Sequence, residues 1–222
     1  SRAFAYMGIT AFEAVASGSN NLVSLGGQLP GLTGLPARNS KQRYDEAVVM
    51  HAALSQAVHS FFQNTGPTGK RAISAVSAKL SAAVAPHVKA STLKRSTEFG
   101  AAVASHILKW SNQDGGHEIK LMGFDSDYKI DASPAHWKPT STIGLQQKPL
   151  LPKWGNNRTF ATANGATCSL PPPPAYSEDK SSQFYKEALE VYDVVKALMP
   201  EQKLIARFWS DDPMLSPTPP GH

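Results

Sequence analysis

Residues 42–63 read QRYDEAVVMHAALSQAVHSFFQ, and their spacing decides the fold class. Tyr44, Ala47, Val48, His51, Leu54, Val58, Phe61 and Phe62 recur every three or four positions, the period of one helix face. Asn64-Thr65-Gly66-Pro67 then closes a long amphipathic helix. On the amino-terminal side, Gly26, Gly27, Gly31 and Gly34 with Pro30 and Pro36 mark a loop. Before that loop, residues 3–16 place Phe4, Met7, Ile9, Phe12 and Val15 among alanines, which predicts a buried helix closed near Ser17-Gly18. On the carboxy-terminal side a helix is expected over 70–84, ended by Pro86. Another is expected over 91–112, with Phe99, Val103, His106, Ile107 and Trp110 on one side.

The pattern then changes. Residues 113–181 show neither helical nor strand periodicity and include the run Pro171-Pro172-Pro173-Pro174. They also hold Phe124, Tyr128, Trp137, Trp154, Phe160 and Tyr176, whereas disordered linkers are poor in aromatics. The segment is therefore read as an ordered strap whose aromatics plug into grooves of a helical body. Helices resume over 182–199, with a stripe of Phe184, Ala188, Val191, Val195 and Leu198, and over 201–210, with Leu204, Ile205, Phe208 and Trp209. Pro200 suits the first turn of the latter. The expected fold class is all-α: a bundle of six helices with a long proline- and aromatic-rich strap.

Composition narrows the function. The 222 residues are 41% hydrophobic and 18% charged, enough apolar material for a core. The single cysteine, Cys168, excludes an internal disulfide framework and a Cys-built metal site. It has no basic neighbour and is read as a merely structural thiol. No run approaches ~18 apolar residues, so no transmembrane helix is expected. The net charge of +5 is scattered, which argues for a solvated surface and against nucleic acid as a partner. The seven histidines make no His-x-x-x-His or His-Glu-x-x-His pair, and His51 and His106 fall on apolar stripes as core residues would. No Gly-x-Ser-x-Gly elbow and no phosphate-cradling glycine loop occurs. The Asp211-Asp212 pair at a helix end is a surface feature that could meet a cation, and Asn157-Arg158-Thr159 is a glycosylation-acceptor pattern too common to carry weight.

Longer strings are more telling. Ser1-Arg2-Ala3-Phe4-Ala5-Tyr6, Ala11-Phe12-Glu13-Ala14, Ser24-Leu25-Gly26-Gly27-Gln28-Leu29 and Trp110-Ser111-Asn112-Gln113-Asp114-Gly115-Gly116-His117 stand in order. They are followed by Trp137-Lys138-Pro139-Thr140, Leu151-Pro152-Lys153-Trp154-Gly155-Asn156-Asn157-Arg158, Phe208-Trp209-Ser210-Asp211-Asp212 and Thr218-Pro219-Pro220-Gly221-His222. Together they resemble the amino-terminal portion of the bacterial vanadium-dependent haloperoxidase and type 2 phosphatidic acid phosphatase (acid phosphatase) superfamily.

The resemblance implies an enzyme that holds a vanadate or phosphate oxyanion between helices, using a Lys, an Arg, a Pro-Ser-Gly-His stretch and a later Ser-Arg with a further His. Vanadate would serve halide peroxidation; without it, a phosphoester would be hydrolysed through a phosphohistidine. None of those anion-binding stretches is present here. Pro219-Pro220-Gly221-His222 resembles a Pro-Pro-Gly-His that precedes them in the family, and Lys109 and Arg158 stand in segments matching its non-catalytic parts. The expectation is thus an amino-terminal scaffold, residues 1–222, with the anion-binding helices beyond His222 as its partner. No catalytic, cofactor-binding or metal residue is assigned; Asp211, Asp212 and His222 are candidates for the pocket rim. The chain opens in a helical pattern without Met and stops in a proline-rich turn, so both ends read as cuts. An export signal before Ser1, periplasmic or envelope location, and homo-oligomers stay open. The rival reading is a non-catalytic all-α interaction module.

Overall fold

In the computed structural model, residues 2–117, 127–140, 144 and 147–209 are described. They form six α-helices and no strand: α1 (Arg2–Ala16), α2 (Glu46–Phe61), α3 (Pro67–Val84), α4 (Ala90–Ser111), α5 (Gln183–Ala197) and α6 (Pro200–Phe208). The chain divides into two compact units, residues 1–129 with 139–169, and residues 130–138 with 170–222.

In the first unit α2 is central and packs against α1, α3 and α4. Its start is fixed by Asp45, whose carboxylate accepts from the Val48 N–H at 3.0 Å. Pro67 begins α3 directly after Gly66. The buried line along α2 runs Val49, Ala53, Ala57, each below 1% exposed, and faces Phe99, Val103, Ala104 and Ile107 of α4. Small residues win this position because α4 passes close enough to require Gly100 at the crossing, beside the Val49 carbonyl and Ala52. The bulkier Met50, Leu54 and Val58 lie only partly buried on the flank toward α3, and α3 itself buries no residue.

The first helix corrects the sequence reading. Its buried positions are Tyr6, Thr10, Glu13, Ala14 and Ala16, whereas Phe4 is 69% exposed and Val15 is exposed. The reason is polar: α1 buries groups that bind loops. Glu13 takes the Leu25 N–H at 2.6 Å and the Ser24 hydroxyl at 2.8 Å, pinning the loop between α1 and α2. That loop then crosses α4, where Leu32 is fully buried and the Trp110 Nε1–H donates to the Pro30 carbonyl at 3.0 Å. Gly31 has φ +74 beside the Trp110 indole, a left-handed turn that a side chain would strain. Glu13→Ala is expected to cost about 1–3 kcal/mol, because it strands the Leu25 N–H. A urea melt and faster proteolysis within residues 22–36 would show it.

The strap is partly as read. Phe160 packs against the core rings, but Trp154 is 43% and Trp137 48% exposed, and Tyr176 is exposed too; Phe124 lies outside the described residues. Phe160 follows two positions after Arg158, which is clamped to Tyr6 of α1 and Trp110 of α4. Cys168 is a free, exposed thiol. His51 and His106 are half-buried.

In the second unit Ser182 caps α5 by accepting from the Tyr185 N–H at 3.1 Å, and the Met199 N–H donates to Gln202 at 2.8 Å to open α6 after Pro200 at its first position. Phe184 meets Tyr176 at 5.1 Å. Otherwise the expected stripes stay uncovered: Val191, Val195, Leu204, Ile205 and Phe208 are all more than half exposed.

Candidate functional site

The most highly connected polar group of the first unit is Asp114, just past the end of α4 and 5% exposed. One carboxylate oxygen accepts from Arg2 Nε at 2.6 Å and from the Tyr6 hydroxyl at 2.9 Å. The other accepts from Arg2 Nη2 at 3.1 Å and from the N–H groups of Gly116 at 2.8 Å and His117 at 3.1 Å. Arg2 also donates to the Ser111 carbonyl at 2.7 Å. From the strap, Arg158 Nη2 donates to the Tyr6 oxygen and to the Trp110 carbonyl, both at 2.9 Å, and the guanidinium lies 4.1 Å from the Trp110 ring centre. The Tyr6 ring in turn meets Phe61, Trp110 and Phe160 at 5.2 to 5.9 Å. A cavity of about 360 Å³ opens beside these groups, also lined by Asn157 and Thr159.

The electrostatics follow from this geometry. Burial alone would push Asp114 up, but the Arg2 guanidinium and the Tyr6 hydroxyl outweigh it and hold the carboxyl below its ordinary value. Burial, and then the hydrogen bond to the Asp114 carboxylate, push the Tyr6 hydroxyl up to about 12. At neutral pH Tyr6 is thus a neutral donor, and the carboxylate is saturated by five donors. Among the described residues, no histidine lines the cavity beside it. Of the two cations, Arg2 is spent on Asp114 and Ser111. Such a set does not fit a vanadate or phosphate oxyanion, which needs several uncommitted donors around a histidine.

A folded pKa raised above the unfolded one contributes stability below the unfolded value and loses it as pH climbs to the folded one. Stability from Tyr6 should therefore fall between pH ~10 and about 12. Of the six tyrosines, Tyr176 is pushed up by its hydrogen bond to Glu178 and Tyr6 up to about 12, so the latest step of an ultraviolet titration should be the one that Tyr6→Phe removes.

In the second unit, Ser133, His136 and Asp131 meet. Both the Ser133 hydroxyl, at 2.5 Å, and an Asp131 oxygen, at 3.5 Å, face the same ring nitrogen, Nδ1. A nucleophilic relay needs them on opposite nitrogens, so the trio is a surface turn. Among the described residues, no three His, Cys, Asp or Glu side chains are grouped to hold a metal, and no helix is long and apolar enough to cross a membrane. Asp211, Asp212 and His222 lie outside the described residues. Sequence reasoning missed the Asp114 cluster, whose members are joined across 108 to 152 positions. Asp114-Gly115-Gly116 after an apolar helix was the one local sign of it.

No family model matches the chain, and neither does any curated protein. A solved structure does: that of the first bacterial vanadium-dependent iodoperoxidase, 30% identical with a TM-score of 0.68. The match covers 96% of this chain and 50% of the iodoperoxidase, so the chain spans half the length of that relative. The all-α architecture agrees with that match: the chain has the fold of a vanadium-dependent haloperoxidase over the half of the relative that it covers.

Proposed function

We propose that residues 1–222 are the amino-terminal scaffold half of a vanadium-dependent haloperoxidase, and that the oxyanion is held by helices of a complementary carboxy-terminal half. The observation that carries this reading is the lopsided match, which uses almost all of this chain and half of the iodoperoxidase. It also favours halide oxidation by peroxide over hydrolysis of a phosphomonoester or lipid phosphate. Vanadate, when bound, supplies the Lewis acidity that activates peroxide toward a halide. The residues of this chain position: the Asp114 cluster locks α1, α4 and the strap into one body against which the other half packs. Asp211, Asp212 and His222 belong to the rim of the pocket in this reading.

The test compares residues 1–222 with the intact protein for vanadate-dependent iodide and bromide oxidation and for p-nitrophenyl phosphate hydrolysis. The expected result is vanadate-dependent turnover by the intact protein and none by residues 1–222. Turnover by residues 1–222 alone would place the chemistry in this chain and overturn the reading. Phosphatase activity without halide oxidation would move the intact protein to the hydrolytic branch. Inactivity of both would leave the non-catalytic interaction module.

A further inference from the structure

Between α2 and α3 runs a furrow of about 660 Å³, walled by Met50, Leu54 and Val58 on one side and Ile73, Val76 and Leu80 on the other. Val76 is 57% and Leu80 50% exposed, so much of the apolar stripe of α3 stands in water. The furrow is held in shape by a 2.6 Å hydrogen bond between the Ser55 and Ser77 hydroxyls. His51 and His59 also line it, and the charges around it are of one sign. From Ala47 to Thr97 the chain has no Asp and no Glu, but it has Lys70, Arg71, Lys79, Lys89, Lys94 and Arg95. On the helical wheel Lys70 and Lys79 flank the Ile73–Val76–Leu80 stripe on opposite sides.

We infer that the α2–α3 furrow is the seat of an amphipathic helix from the complementary half of the protein, one that carries carboxylates on both sides of its apolar stripe. This rests on the reading of the chain as one half of a haloperoxidase. Two neighbouring helices leave a linear groove between their side-chain ridges, and a third helix fills such a groove with residues spaced three and four apart. The flanking lysines have no carboxylate in 51 consecutive residues to answer them, so the arriving helix supplies them. In that reading the source is the complementary half, since the match takes up 50% of the iodoperoxidase and leaves a similar length of that relative outside it.

Hydrogen–deuterium exchange on the intact protein and on residues 1–222 tests this. Peptides from 47–58 and 70–84 are expected to exchange at least about tenfold more slowly in the intact protein. Two double variants accompany it, Val76→Glu with Leu80→Glu and Lys70→Glu with Lys79→Glu. Lys70 and Lys79 are exposed and Val76 and Leu80 at least half exposed, so the helical circular-dichroism signal of residues 1–222 should be kept in both variants, and the melt of the lysine variant should stay within a few degrees of wild type. The affinity of residues 1–222 for the separately expressed complementary half should fall about thirtyfold or more. An active intact protein in which the furrow exchanges freely, or in which the variants bind as well as wild type, would overturn the inference and leave the functional reading standing. An intact protein without halide oxidation strikes that reading instead. Equal protection in residues 1–222 alone, with a dimer by light scattering, would give the furrow to a second copy. Protection only on phosphatidylserine vesicles would give it to a membrane. Either result would also overturn the inference.

Discussion

Gly100→Val is expected to lower the unfolding free energy by about 3 kcal/mol or more, the upper range for overpacking a helix crossing. A β-carbon at position 100 would run into the Val49 carbonyl oxygen and come within 2.9 Å of the Ala52 β-carbon and 3.1 Å of the Ala53 nitrogen. Two of these three atoms are backbone and cannot rotate aside, so α4 and α2 would have to separate and open the contact among Val49, Ala53 and Val103. Gly100→Ala should cost less, because a methyl is smaller and alanine favours the helix by about 0.5–1 kcal/mol. For a chain of this size, 3 kcal/mol corresponds to a drop of roughly 6–12 °C in the thermal midpoint. Gly8→Ala in α1 is the control: nothing lies within 4 Å of its added carbon, and the midpoint should hold or rise. Equal behaviour of Gly100→Ala and Gly8→Ala would show that the crossing is not tight.

Asp114→Ala should cost about 3–5 kcal/mol, since it removes the carboxylate that, among the described residues, faces Arg2 and Tyr6 and leaves a partly buried guanidinium without that counter-charge. Asp114→Asn keeps an acceptor and should cost less. The pH dependence gives a sharper reading. The folded pKa of Asp114 lies below its unfolded value of ~3.9, so its contribution is present above that value and is lost as pH falls through the lower folded one. The wild-type protein should accordingly lose stability on acidification below about pH 4 more steeply than Asp114→Asn does. Parallel acid limbs in a series of chemical melts would refute the assignment.

Helix positions were legible because periodicity is local. The helix read at 42–63 spans 46–61, and that read at 91–112 spans 90–111, with Phe99, Val103, Ile107 and Trp110 inward as expected. The direction of burial was less legible. In α1 the bulky apolar residues were read as inward, yet Tyr6, Thr10 and Glu13 hold the interior because they bind distant loop groups. In α2 the inward line is Val49, Ala53 and Ala57, since the closeness of α4 selects small side chains, and no feature of α2 alone announces its neighbour's glycine. The Asp114 cluster was hidden for the same reason: its partners come from both ends of the first unit, and hydrophobic spacing carries no record of charge pairing at that range.

The link from Arg158 back to Tyr6 has a consequence for how the protein is made. The ribosome delivers α1 to α4 first, and the Asp114 peptide follows with Arg2 and Tyr6 already waiting. The strap arginine is 44 residues further on, roughly 2–9 s of synthesis at 5–20 residues per second. Throughout that interval the Tyr6 hydroxyl oxygen and the Trp110 carbonyl lack their donor, and Phe160 has not yet covered the ring cluster. A four-helix body that folds within that interval would have an open seam, and pulsed proteolysis of stalled chains ending before residue 158 should cut nearer Tyr6 and Trp110 than in chains extending past Phe160.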